Sequence, residues 1–173
     1  MLESDKDIKE TIRDVSFGIV SEIAPEESDF FYEISDAYFT NPDLLKNINS
    51  GDDPVGFGIE GVIEMVSPAT IGIVSTVITY IATEIFGAAK GALTDELKNK
   101  IKSLFDKDKL NNKDKGTDIS KNNIPEKENT VALTSDQLKQ IRDKAIEEGL
   151  ALKLSNQKAT ELANALIASI VTA

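Results

Sequence analysis

The sequence predicts an all-α protein built as a multi-helix N-terminal unit with a long central helix (residues 1–105), a flexible charged linker (106–130) and a C-terminal helical hairpin (131–173). Three observations carry this. Apolar residues recur at steps of three and four through separate stretches of the chain, the period of one helix face. The hydrophobic content of 40% is enough to build a core. One interval of 25 residues, 106–130, keeps only Leu110, Ile119 and Ile124 as aliphatic side chains, too little apolar surface to offset the entropy of ordering its backbone.

The first helix is read from Ile8, Ile12, Val15, Ile19 and Ile23, spaced 4, 3, 4 and 4. Pro25 stops it and suits the first turn of the next helix. There Glu26, Glu27 and Asp29 complement the positive end of the helix dipole, and Phe30, Phe31, Ile34, Ala37 and Tyr38 form the expected buried face. Asn41-Pro42 breaks this helix, and Asp43 to Ile48 reads as a short third one ending at Ser50-Gly51.

Residues 55–66 read as a further short helix, followed by 19 residues without a charge, Met65 to Thr83. Helix and strand compete here. Nine of the twelve residues from Thr70 to Ile81 are β-branched, which favours strand. Ile71, Val74, Ile78, Ile81, Ile85, Ala88 and Ala92 nevertheless form a 3-4-3-4 seam, and no two-residue alternation is present. The expectation is therefore one helix from Pro68 to Phe105, about 55 Å long, with Leu93, Leu97, Ile101 and Leu104 extending its apolar face; strand over 70–81 is the alternative. Beyond the linker, Thr134 or Ser135 caps a helix with face Leu138, Ile141 and Ala145. Gly149 is read as its stop, Ser155 as the cap of the last helix, and Ala159, Leu162, Leu166 and Ile170 as the stripe that faces back. About 40 residues alone are marginal, so the hairpin is expected to rest on the head or on a partner.

Composition excludes several function classes. The chain has no Cys, His or Trp, so disulfides, Cys/His zinc sites and Ser-His-Asp or Cys-His catalysis are out of reach. The formal charge of −11 is concentrated, because residues 1–65 hold 16 Asp/Glu against 4 Lys/Arg while the remainder is nearly neutral. This argues against nucleic acid and for a basic protein partner docking on the head, with strong salt dependence. Glu3, Asp5, Lys6 and Asp7 at the start read against a secretory signal peptide, giving an expected cytoplasmic location, with membrane association as the alternative.

Four motifs invite a chemical reading. Gly56-Phe57-Gly58-Ile59-Glu60-Gly61 matches GxGxxG, but Asp52, Asp53 and Glu60 would repel phosphate and no strand precedes it. Asp52, Asp53, Glu60 and Glu64 form the candidate acidic docking surface, and they are the carboxylates a Ca²⁺ or Mg²⁺ ion would use; a solvated acidic face is the simpler reading, and no metal or cofactor is expected. Ser155-Asn156-Gln157-Lys158 matches SxxK, which a capping serine explains better. The uncharged run is long enough for a membrane helix, and Gly87 and Gly91 add a GxxxG pattern. Ile71, Val74, Ile78, Ile81, Ile85, Gly87 and Gly91 thus make up a candidate membrane or homo-oligomer seam, although a core helix buried on all sides would look the same. The expected function is that of a non-enzymatic helical interaction or adaptor protein, with an acidic docking surface and a tethered C-terminal hairpin. The alternatives are a conditionally inserting or pore-forming helical protein using residues 65–93 and, last, a carboxylate-based metal-dependent enzyme.

Overall fold

The computed structural model describes residues 5–41, 65–89, 93–106 and 132–171. Within them lie helices α1 (Lys6–Ile23), α2 (Phe31–Thr40), α3 (Val66–Tyr80), α4 (Asp95–Phe105), α5 (Ser135–Ala151) and α6 (Asn156–Val171). A 3₁₀ turn, Pro25–Phe30, leads into α2, and a π turn, Ile81–Ile85, extends α3. No strand occurs among the described residues. The Asp43–Ile48 helix, nearly all of the 55–66 helix, the GxGxxG motif and all but Asp106 of the linker lie outside them.

Helix α3 is the axis of the fold. Twelve of its fifteen residues are buried, and α1, α2 and α5 pack around it. The β-branched content of this stretch does not make a strand, because seven of its nine β-branched side chains are buried in the sheath and burial outweighs intrinsic propensity. Thr70 and Thr79 of α3, and Thr83 of the π turn, satisfy their hydroxyls locally, donating to the carbonyls of Val66, Ser75 and Thr79 at 2.8, 2.9 and 3.0 Å. The N-terminus of α3 has no side-chain cap of its own, since Met65 stands at the cap position. Glu27, from the 3₁₀ turn, takes that role and accepts the amides of Val66 and Ser67 at 2.8 and 2.7 Å.

The single helix expected from Pro68 to Phe105 is instead two. The Phe86 amide reaches back to Ile81 and that of Ala88 to Ala82, 3.0 and 2.9 Å, and Gly87 takes φ +68°, a left-handed conformation that favours glycine. The apolar seam therefore ends at Ile85. A new helix starts at Asp95, where Thr94 accepts the Leu97 amide at 3.3 Å.

Helix α1 begins with Asp5 accepting the Asp7 amide and buries Ile8, Ile12 and Ile19 as its spacing predicts. In α2, Phe31 and Ile34 are buried, whereas Phe30 is 61% exposed. The expectation for Phe30 fails because Pro25 opens a 3₁₀ turn, whose three residues per turn rotate position 30 off the later α-helical face.

The hairpin forms as expected, and it rests on the head. Helix α5 packs on α3, and α6 packs on α5, α1 and α4, so one apolar core runs through all the described helices. Thr134 and Gln137 form a reciprocal capping box. Ser155 accepts the Lys158 amide at 3.2 Å, and Ala159, Leu162, Leu166 and Ile170 are buried. Gly149 does not stop α5. The helix runs to Ala151, and Lys153 takes the left-handed position at φ +67°; the Lys153 and Leu154 amides close the end on Leu150 and Gly149. Gly149 is instead the point of closest approach in the hairpin: a Cβ there would lie 2.8 Å from the Ala159 Cβ.

Candidate docking surface

The seam residues and the acidic residues have different fates. Ile71, Val74, Ile78 and Ile81 are fully buried against the sheath, and Ile85 is partly buried at its edge. Gly87 sits beyond the helix in the left-handed turn and so lines no helix face; Gly91 lies outside the described residues. The stretch Val66–Ile85 is 20 residues long and apolar enough to cross a membrane, and 78% of its 18-residue apolar window is buried inside the fold. Asp52, Asp53, Glu60 and Glu64 all lie outside the described residues. Among those that are described, no three carboxylates converge on a point where a metal would sit.

What the structure does place is the charge of α1 and α2. Residues 5–41 hold ten carboxylates and three cations. Two of the cations turn inward: Lys9 and Arg13 lie 5.4 and 5.8 Å from the Phe39 ring centroid. Arg13 also pairs with Asp36 and donates to Ser35 at 2.6 Å. Four of the carboxylates are likewise engaged. Glu27 caps α3, Asp36 meets Arg13, and Asp5 and Asp7 lie 2.7 and 3.9 Å from the Lys98 ammonium of α4. The Lys98 hydrogen bond holds the Asp5 carboxyl below its ordinary range, and the same bond raises Lys98. Glu10, Asp14, Glu22, Glu26, Asp29 and Glu33 remain, none with an ion pair among the described residues. The outer surface of α1 and α2 is therefore anionic, because two of its three cations are engaged internally and only Lys6 is left exposed.

An aromatic ridge runs through this anionic surface. Phe17, Phe31 and Tyr32 stack at centroid separations of 5.4–5.8 Å, with Phe31 buried and Tyr32 51% exposed. Phe30 stands beside them, more open still. Asp29 and Glu33 flank the pair in the chain. A ring held in water by a packed base, as Tyr32 is, with carboxylates near it in the chain, has the makeup of an interface anchor: rigid apolar area that costs little entropy to bury. The sequence carried a signal for this that its helical reading passed over. Three consecutive aromatics at 100° per residue cannot all face one core, so at least one of Phe30, Phe31 and Tyr32 had to face outward.

No protein-family model, curated protein or solved structure matches this chain.

Proposed function

We propose that this chain is a non-enzymatic interaction protein whose α1–α2 surface docks a basic protein partner, with Phe30 and Tyr32 as the anchors. The observation that carries this reading is two exposed aromatics, Tyr32 held on a packed base and Phe30 open beside it in the chain, next to carboxylates that have no cation among the described residues. A partner presenting Lys or Arg around an apolar pocket would bury both rings and neutralise Asp29 and Glu33. The carboxylates would set the approach rate and its salt sensitivity, and the rings would set the lifetime. The apolar faces of the hairpin are consumed within the bundle, α5 by α3 and α6 by α5, α1 and α4, so docking falls to the outer surfaces. The membrane-active alternative asks α3 to leave the sheath of α1, α2 and α5, and the burial of its apolar window favours the interaction reading.

The test is differential capture. Full-length wild type and Phe30→Ser/Tyr32→Ser are immobilised at equal density, and retained proteins are compared by mass spectrometry in low salt and at about 0.3 M salt, where the Debye length falls to roughly 5–6 Å. The expected result is a set of basic proteins held by wild type, lost from the double variant and released by salt. Identical sets on both baits overturn the reading.

A further inference from the structure

A cleft adjoins the aromatic base: Phe17, which stacks on Phe31 and Tyr32, also lines it. It opens to solvent where α1, α4 and α6 meet, with a volume of about 430 Å³. Val15, Gly18, Ile19, Phe105, Ala165 and Ala168 line it, an apolar floor contributed by all three helices. Gly18 sets its depth: a Cβ built there meets nothing within 4 Å. A glycine in mid-helix costs about 1 kcal/mol relative to alanine, and here no close neighbour demands it, so its effect is to leave room above the floor. Asp14 and Glu22 stand one helical turn to either side of Gly18 and also line the cleft.

The cleft does not end there. It shares Thr11, Asp14 and Lys102 with a second depression of about 310 Å³ along the α1–α4 seam, to which Asp7, Glu10 and Asp95 contribute. The combined furrow follows α1 from Asp7 to Glu22, fifteen residues or about 22 Å. Of the described lysines that line it, Lys98 is taken by Asp5, Asp7 and Asp95, which leaves Lys102 to stand against the carboxylates of α1. A furrow four turns long, with an apolar floor around Gly18 at one end and a carboxylate-rich stretch at the other, is complementary to one shape and one charge.

We infer that this furrow binds a cationic amphipathic helix of a partner protein, laid along α1 with one bulky apolar side chain over Gly18 and a Lys or Arg one turn to each side, facing Asp14 and Glu22. The helix would bury its apolar face on the floor in the manner of other helix-in-groove complexes. This extends the interaction reading from the exposed rings to the cleft beside them, which shares Phe17 with their packed base.

The experiment uses a fluorescein-labelled synthetic helix of sixteen residues, with leucines on one face and lysines on the rest, and its counterpart with glutamates for lysines. Each is titrated with full-length protein and followed by anisotropy. The lysine helix is expected to bind wild type, with salt-sensitive affinity, and the glutamate helix not to bind. Gly18→Leu fills the cleft without altering charge and replaces a poor helix former with a good one, so the fold is retained, as circular dichroism will verify. It should weaken binding of the lysine helix at least about tenfold. Asp14→Lys/Glu22→Lys should do the same, and Phe30→Ser should leave binding unchanged. Equal binding to wild type and Gly18→Leu overturns the site while leaving an acidic docking surface in place. No salt-sensitive binding of the lysine helix to wild type overturns the furrow and counts against the anionic surface as well. Self-association of wild type in sedimentation, abolished by Gly18→Leu, would put a second copy of this chain in the cleft and overturn the cationic-helix assignment.

Discussion

Removing the Glu27 carboxylate should loosen the end of α3 that enters the core. Glu27 accepts two backbone amides, from Val66 and Ser67, at 2.8 and 2.7 Å across 39 and 40 residues of chain. Both are donors that an α-helix leaves without an internal partner, and Met65 offers no side chain to replace the carboxylate. A hydrogen bond to a charged group contributes about 1.5–3 kcal/mol. The site is only partly buried, so the lower end applies, and an anion at a helix N-terminus adds about 0.3–1 kcal/mol. Helix caps replaced by alanine lose about 0.5–2 kcal/mol for a single bond. For two bonds made by one side chain, Glu27→Ala is expected to cost about 2–3 kcal/mol. Glu27→Gln retains one acceptor oxygen but turns an amide NH₂ toward the second donor, and should cost roughly half of that. Urea denaturation followed by helical ellipticity measures both, and in a chain of this size the alanine variant should melt about 5–10 °C lower. Glu26→Ala, one residue away and exposed, is the control and should lie within about 0.5 kcal/mol of wild type. If Glu27→Ala behaves like Glu26→Ala, the carboxylate does not hold α3 in the sheath and the account of that helix end is wrong.

Two further outcomes test the hairpin and the α1–α4 contact. Gly149→Ala gains about 1 kcal/mol of helix propensity but places a methyl 2.8 Å from the Ala159 Cβ, and overpacking of this kind costs about 1–3 kcal/mol. A net loss of about 1 kcal/mol in urea is expected, with recovery when Ala159→Gly is added; a variant more stable than wild type would show that the two helices are not in close contact there. For Asp5 and Lys98 the sign follows from the shifts. The lowered Asp5 carboxyl contributes stability above the ordinary aspartate value of about 3.9, lost as pH falls through its lowered value. The raised Lys98 contributes stability below the ordinary lysine value, lost as pH climbs through its raised one. Lys98→Met should therefore be less stable than wild type near neutrality, and the difference in urea midpoint should shrink below about pH 3.9. A gap that stays constant down to pH 2 would mean the ion pair is not its source.

The sequence alone determined the all-α class and the apolar faces of α1 and α6. Ile8, Ile12 and Ile19 in α1 and Leu162, Leu166 and Ile170 in α6 are buried where a 3.6-residue period requires, because that period reads directly onto a cylinder. The caps at Thr134 and Ser155 were legible for the same reason: a cap acts on amides two or three residues away, within the reach of local reading. The anionic character of the head was also present in composition. What only the tertiary structure decided depends on residues distant in the chain. Gly149 looked like a stop because glycine usually ends helices, yet its partner, Ala159, becomes visible only when α6 folds back. Glu27 looked like a first-turn acid of its own helix, and it caps another helix about 40 residues on. The break at Gly87 interrupts an apolar pattern that runs unbroken in the sequence, since periodicity records side chains and not the backbone angle that ends the helix. The docking surfaces fall in the same class. Carboxylate counts were readable from the start, but the fold alone determines which carboxylates lose their cations to Phe39 and Asp36, which aromatic ring is left in water, and which glycine opens a cleft. Ion pairing, exposure and free volume are relations between elements, and no single stretch of chain contains them.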